Sequence, residues 1–167
     1  MSHEFLQVLP STLNKERYLY EIRNRSKWVL LMGGERVLLY KRRWDGARCP
    51  KFDKVRMQHP QVETCDVCYG TGYVQGYLRP IEIYVSLASP VPQQLEIQET
   101  GIRRTYLPVT WTLWEPGLAS KDMFVRRNGE RHWIINVQET RWHHHVLRQI
   151  LSTELIEQAN QLYKIPI

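Results

Sequence analysis

No apolar run in the sequence approaches the ~20 residues that a membrane-spanning helix needs. Nor does the N-terminus have the basic start and long apolar core of a signal peptide, because His3 and Glu4 precede only the short Phe5-Leu6-Gln7-Val8-Leu9. These two absences lead us to expect a protein made in the cytoplasm, with no membrane partner. Cysteine is scarce: three residues cannot all pair within one chain, and a reducing compartment disfavours disulfides in any case. Catalytic signatures are missing as well. There is no G-x-S-x-G, no Walker loop, no H-E-x-x-H and no isolated cysteine with a base near it, so a non-enzyme is expected. Repeats and low-complexity tracts are also absent.

What is present is ordinary globular composition, with 43% apolar and 24% charged residues in a chain of 167, enough to bury the core of one domain. Twenty-three Lys and Arg against seventeen Asp and Glu leave a net charge of +6, which favours contact with polyanions without requiring it.

The texture divides into an N-terminal arm and helix over residues 1–35 and a β-rich body over residues 36–167, all within a single domain. Leu19, Ile22, Trp28, Leu31 and Met32, followed by Gly33-Gly34, suit a helix over residues 13–32 with a glycine cap. The rival is a strand through Trp28-Val29-Leu30-Leu31-Met32 that turns at the glycines into a hairpin. Val37, Leu38, Leu39 and Tyr40 mark a strand within residues 36–44. From 45 to 76 apolar density falls while Gly, Pro, Asp and Cys accumulate, so this stretch reads as an inserted loop that needs something to hold it.

Beyond Pro80, β-branched and aromatic runs predict strands at Ile81-Glu82-Ile83-Tyr84-Val85, Arg104-Thr105-Tyr106-Leu107, residues 109–114 and Trp133-Ile134-Ile135-Asn136-Val137. Asn128-Gly129 between Phe124-Val125-Arg126 and Arg131-His132-Trp133 is a hairpin signal. Residues 152–163 read equally as a closing helix or a last extended segment. The fold class expected is mainly β: a small barrel-like or sandwich-like body with an N-terminal helix and an inserted zinc-knuckle loop.

Chemistry concentrates in that loop. Cys65-Asp66-Val67-Cys68 is a C-x2-C pair followed by Tyr69-Gly70-Thr71-Gly72; thiolates at this spacing grip one ion, while the glycines let backbone amides turn toward the sulfurs. Cys49-Pro50-Lys51-Phe52 is where a first half-site belongs, but Phe52 stands at its second position. Tetrahedral zinc needs four ligands, so the expected set is Cys49, Cys65, Cys68 and His59, with Asp53 as the competitor for the fourth place. The alternatives are three free cysteines without metal and a redox pair, the latter disfavoured by the lack of a βαβ setting.

His143-His144-His145 invites a second metal reading, but alternate strand side chains oppose one another, and a half-buried strand is the preferred view. Lys41-Arg42-Arg43, Arg103-Arg104 and Arg126-Arg127 read either as solvated rim charge or as contacts to a DNA backbone without sequence readout.

Three segments carry a resemblance: Leu38-Leu39-Tyr40-Lys41-Arg42-Arg43-Trp44, then Arg48-Cys49-Pro50, then Cys65-Asp66-Val67-Cys68-Tyr69-Gly70-Thr71-Gly72-Tyr73-Val74-Gln75-Gly76-Tyr77. Together they resemble a group of tailed-bacteriophage virion structural proteins with the pattern RCP-x-C-W/F-D, a spacer, then CPTCYGTG-x-x-GGY. Residues 122–131, around Asn128-Gly129, look like the hairpin of head-closure, or stopper, proteins of the neck between capsid and tail. The resemblance spans roughly residues 36–150, with Phe52 near a family cysteine and Asp66 in place of a proline. It implies a barrel-like neck subunit with structural zinc, assembled in the virion as a homo-oligomeric ring. Its implied partners are other neck proteins, namely the portal or adaptor and the tail terminator, and double-stranded DNA passing non-specifically through the channel. Six Trp and nine Tyr agree with an interaction protein, since interfaces prefer such side chains. The second function considered is a zinc-ribbon nucleic-acid-binding or chaperone-like adaptor, because C-x2-C-x-G-x-G also resembles one zinc repeat of the J-domain chaperones. In those chaperones the repeat occurs four times; here it occurs once.

Overall fold

The computed structural model describes residues 12–53, 55, 65–87, 91–98, 101–107 and 109–166. A helix α1 (Thr12–Gly33) leads into β1 (Glu35–Tyr40), and the strands that follow are β2 (Ile81–Leu87), β3 (Val91–Gln98), β4 (Gly101–Leu107), β5 (Val109–Leu113), β6 (Met123–Val125), β7 (Arg131–Trp142) and β8 (His145–Leu155). Six of them close an antiparallel barrel in the order β1-β2-β5-β8-β7-β6, with β6 pairing back on β1. The remaining two, β3 and β4, form a separate two-stranded ribbon between β2 and β5. The expected β class with an N-terminal helix and an inserted cysteine loop is therefore the observed one.

Alternation along β1 explains why its sequence is apolar throughout. Val37 and Leu39 point into the barrel with Ile83, Val85, Phe124, Ile134 and Leu151. Leu38 and Tyr40 point outward, where a second cluster of Tyr77, Met123, Val125, Ile156, Leu162 and Ile165 covers them. A strand buried on both faces loses the polar half of its period-two pattern. This outer cover comes from the inserted loop and from the chain after β8. Arg131 fastens the latter: its buried guanidinium donates to the carbonyls of Leu162 and Ile165 and lies over the Tyr163 ring. Residues 152–163 combine both readings of the sequence, staying extended to Leu155 and closing in a 3-10 turn at Gln161–Lys164.

The rival hairpin at Gly33-Gly34 does not form. The helix runs through Gly33, and the Gly34 amide donates to the Leu30 carbonyl at 2.8 Å. Of the five residues Trp28 to Met32 only Leu30 is buried, which is the one-in-four spacing of a helix face, not the alternation of a strand. The α1 helix lies against β2, β5 and β8, held by the Arg23 guanidinium, which donates to the Val146 carbonyl at 2.8 Å and stacks on Trp114.

Asn128-Gly129 does turn β6 into β7, with Val125 opposite Arg131 and the positive φ of 85° at Gly129 that such a turn requires. His143-His144-His145 is corrected in part: His143 and His144 form the turn between β7 and β8, with His143 at φ 51°, and His145 opens β8, but all three are exposed and not half-buried. The side chains of Arg103-Arg104 lie outside the described residues.

Candidate metal centre

Between Tyr40 and Ile81 the chain leaves the barrel and returns as two antiparallel arms. The Leu78 amide donates to the Lys41 carbonyl, Arg43 to Gly76, Val74 to Ala47 and Cys49 to Gly72, all at 2.8–2.9 Å. Bridges at Arg42–Tyr77 and Arg48–Tyr73 complete this zipper. The first arm thus delivers Cys49 to the turn carrying Cys65 and Cys68, although the two halves are separated by many residues in sequence.

The second arm is shaped by its turn residues. The Tyr69 amide donates to the Cys65 carbonyl, and both the amide and the hydroxyl of Thr71 donate to the Cys68 carbonyl. Gly70 and Gly72 sit at φ 80° and 81°, a left-handed conformation natural to glycine. Gly76, at φ 57°, is tighter still, since a Cβ there would stand 2.5 Å from the Cys68 carbonyl oxygen.

The three sulfurs lie within 4.8 Å of one another and all three residues are buried. Cys49 Sγ and Cys65 Sγ are 3.7 Å apart. That is far beyond the ~2.05 Å of a disulfide and close to the ~3.8 Å edge of a tetrahedron with metal–sulfur bonds of about 2.3 Å. The donor set therefore fits a metal ion held by thiolates. Burial opposes ionisation at Cys65, but the Val67 and Cys68 amides, helped by the Cys68 and Cys49 thiols, bring its pKa down to about 6. At Cys49 burial outweighs the Lys51 amide and, with the Cys65 and Cys68 thiols adding to it, raises the pKa to about 11. One thiolate already favoured beside donor thiols is a nucleus onto which a cation can load while displacing the remaining protons.

Among the described residues, no fourth His, Asp, Glu or Cys joins the group. Asp53, the competitor ligand, instead accepts the Val55 amide at 2.8 Å, and the group of close donor atoms does not include it. His59 lies outside the described residues. Phe52 packs on the sulfur cluster instead of coordinating, and the Arg48 guanidinium sits between the Phe52 and Tyr73 rings at 5.1 and 4.5 Å.

Asp122 escaped the sequence reading. Its buried carboxylate accepts the Arg42 amide at 2.8 Å and the Ala119 amide at 2.9 Å, tying the root of the first arm to the segment before β6. Burial raises its pKa against the pull of those amides. A lone Asp just before a strand gives no signal in sequence, because both of its partners are backbone atoms.

Fold and site together define a closed antiparallel barrel carrying a knuckle of three buried cysteines that could hold a metal ion. Compared with known proteins, the chain matches no family profile and no curated protein.

Proposed function

We propose that this chain is a structural subunit of a tailed-phage virion neck, assembling as a homo-oligomeric ring that connects the portal or adaptor to the tail and helps retain DNA. Zinc is its structural ion, held by Cys49, Cys65 and Cys68 with His59 as the fourth ligand. The observation that carries an assembly role is the outer face of α1: Trp28 and Met32 are 65% and 84% exposed, with Tyr20, Val29 and Leu31 exposed beside them. Monomers rarely leave large apolar side chains grouped in water as Trp28, Val29, Leu31 and Met32 are at the end of this helix. A head-to-tail contact between copies covers such a face on one side of each subunit only, and closes into a ring when the rotation permits. The neck assignment itself rests on the resemblance of the cysteine segments and the β6–β7 hairpin.

The alternative, a zinc-ribbon nucleic-acid-binding or chaperone-like adaptor, is favoured by the arginine-rich arms around the knuckle. Negative-stain imaging of the purified, zinc-loaded protein separates the two. Closed rings that Trp28→Glu dissolves are expected for the neck subunit, whereas monodisperse monomers at micromolar concentration would remove it in favour of the adaptor.

A further inference from the structure

The knuckle is strongly basic outside its thiol cluster. Residues 41–53 and 65–79 carry six Lys and Arg against three Asp and no Glu. Two of those carboxylates are engaged: Asp66 pairs with Lys51 at 3.1 Å, and Asp53 accepts the Val55 amide. Among the described residues, no carboxylate forms an ion pair with the side chains of Arg42, Arg43 or Arg48. These guanidiniums are nevertheless held in place. Arg42 lies over the exposed Trp44 ring at 4.6 Å, Arg48 lies between Phe52 and Tyr73, and Arg43 donates to the Gln75 side chain at 3.4 Å. Three other arginines differ in being bound by carboxylates, Arg126 by Glu35 and Glu130, Arg17 by Glu21 and Arg141 by Glu139, while Arg23 and Arg131 are spent on main-chain carbonyls.

Guanidiniums held by a ring, as Arg42 and Arg48 are, or by a side-chain amide, as Arg43 is, and without a paired carboxylate have lost part of their rotamer entropy before any anion arrives, and their planar forks match phosphate oxygens. We infer that Arg42, Arg43 and Arg48 form a phosphate-binding face for the backbone of double-stranded nucleic acid. This deepens the proposed function and rests on it for the duplex as partner. The contact carries no base readout, since positively charged side chains at a phosphate backbone fix position, not sequence. The thiol cluster acts only indirectly, by holding the two arms in register so that the three cations share one rigid element.

The test is fluorescence anisotropy of a labelled mixed-sequence duplex of about 25 base pairs, titrated with zinc-loaded protein between about 50 and 200 mM salt. The variant Arg42→Gln/Arg43→Gln/Arg48→Gln is expected to bind at least about tenfold more weakly at low salt, with the log–log salt slope reduced by about 2–3. A control, Arg17→Gln/Arg25→Gln/Arg141→Gln, removes the same formal charge elsewhere and is expected to keep the parental slope. If the control lost as much as the knuckle variant, binding would be a matter of net charge and the inference would fall. It would also fall if the parent did not bind the duplex at about 50 mM salt, or if it preferred a single strand of equal length. Should the triple variant lose zinc, Arg43→Gln alone decides, with a slope reduction of about 1 expected at unchanged zinc content and an unchanged slope overturning the inference. Assembly is read separately: duplex binding by a monomer keeps this face and removes the ring, and rings that ignore the duplex do the reverse.

Discussion

Gly76 is the position where one methyl group would bear hardest on the metal. Its φ of 57° is left-handed, and a Cβ there would meet the Cys68 carbonyl oxygen at 2.5 Å, the Cys68 carbonyl carbon at 3.0 Å and the Tyr69 Cβ at 3.3 Å. Gly76→Ala therefore carries two costs. The first is conformational, about 1–2 kcal/mol for an L side chain in this region. The second is steric, and it cannot be relieved by a side chain turning away, because the obstructing atoms belong to the backbone of a ligand residue. The Cys68 carbonyl is also pinned by the amide and hydroxyl of Thr71. Metal–sulfur distances tolerate only about 0.2 Å, so moving Cys68 to make room degrades coordination. At 1.4 kcal/mol per factor of ten, the conformational cost alone weakens zinc binding by about 5- to 30-fold, and the contact adds to it. Competitive chelator titration measures this directly. The control is Gly129→Ala, where φ is 85° but nothing lies within 4 Å of the added Cβ. It should lower barrel stability in urea by about 1 kcal/mol and leave zinc affinity unchanged. Parental zinc affinity in a folded Gly76→Ala protein would refute the coupling of this glycine to the site.

Three further outcomes are expected. In chelator competition His59→Ala should lose far more zinc affinity than Asp53→Ala, because loss of a ligand costs more than loss of a neighbour; parental binding by His59→Ala would exclude the histidine. Cys68→Ser should lose the metal, and limited proteolysis should then cut first within residues 45–76 while the barrel still unfolds cooperatively, because the arms lean on the ion and the strands on their own core. His132 lies opposite Phe124 and stacks on its ring at 5.1 Å, and burial, aided by the Arg126 charge, lowers its pKa. The folded state thus favours neutral imidazole, so its contribution to stability is full above about pH 6.5 and is lost as pH falls toward the depressed value. His132→Phe should flatten the pH dependence of the urea midpoint below about pH 6.5, and an unchanged slope would exclude it as the cause.

The elements legible in the sequence were those whose signals are local. Asn128-Gly129 announces its hairpin because both residues of the turn must accept its geometry, and Cys65 and Cys68 announce a half-site because two residues set their spacing. The arms around them are held by backbone zippering between residues 41–49 and 72–78, which has no side-chain signature. The strand Val91–Gln98 went unseen because Pro92, Gln93 and Gln94 interrupt any apolar alternation. The histidine run misled because polar, β-compatible residues fit strand and turn alike; the positive φ at His143 puts the turn at His143-His144 and leaves only His145 to the strand. Arg131 reads in sequence as another surface cation, yet its partners are carbonyls 31 and 34 residues away, which only the closed chain brings together. The fourth place at the sulfurs shows the same limit. Phe52 made clear that a ligand was missing, but spacing alone could not choose between His59 and Asp53.

Closure of the barrel constrains how copies of this chain can associate. With β6 paired to β1 the barrel closes, although the three residues of β6 pair with β7 only at Arg131–Trp133. The β3–β4 ribbon has free edges as well. One wall, β1-β6-β7, is already covered by the knuckle arms and the segment after β8. The other, β2-β5-β8, is covered by α1, whose own outer face carries Trp28 and Met32 into solvent. Apolar burial between copies is therefore directed to the α1 side, while the rigid cations Arg42, Arg43 and Arg48 belong to the knuckle that covers the other wall. On the proposed function, a subunit built this way would separate protein contact from polyanion contact on different elements. Loss of zinc should disturb the second well before the first, because the thiols organise the arms and pack with Phe52 and Val67 of the same knuckle.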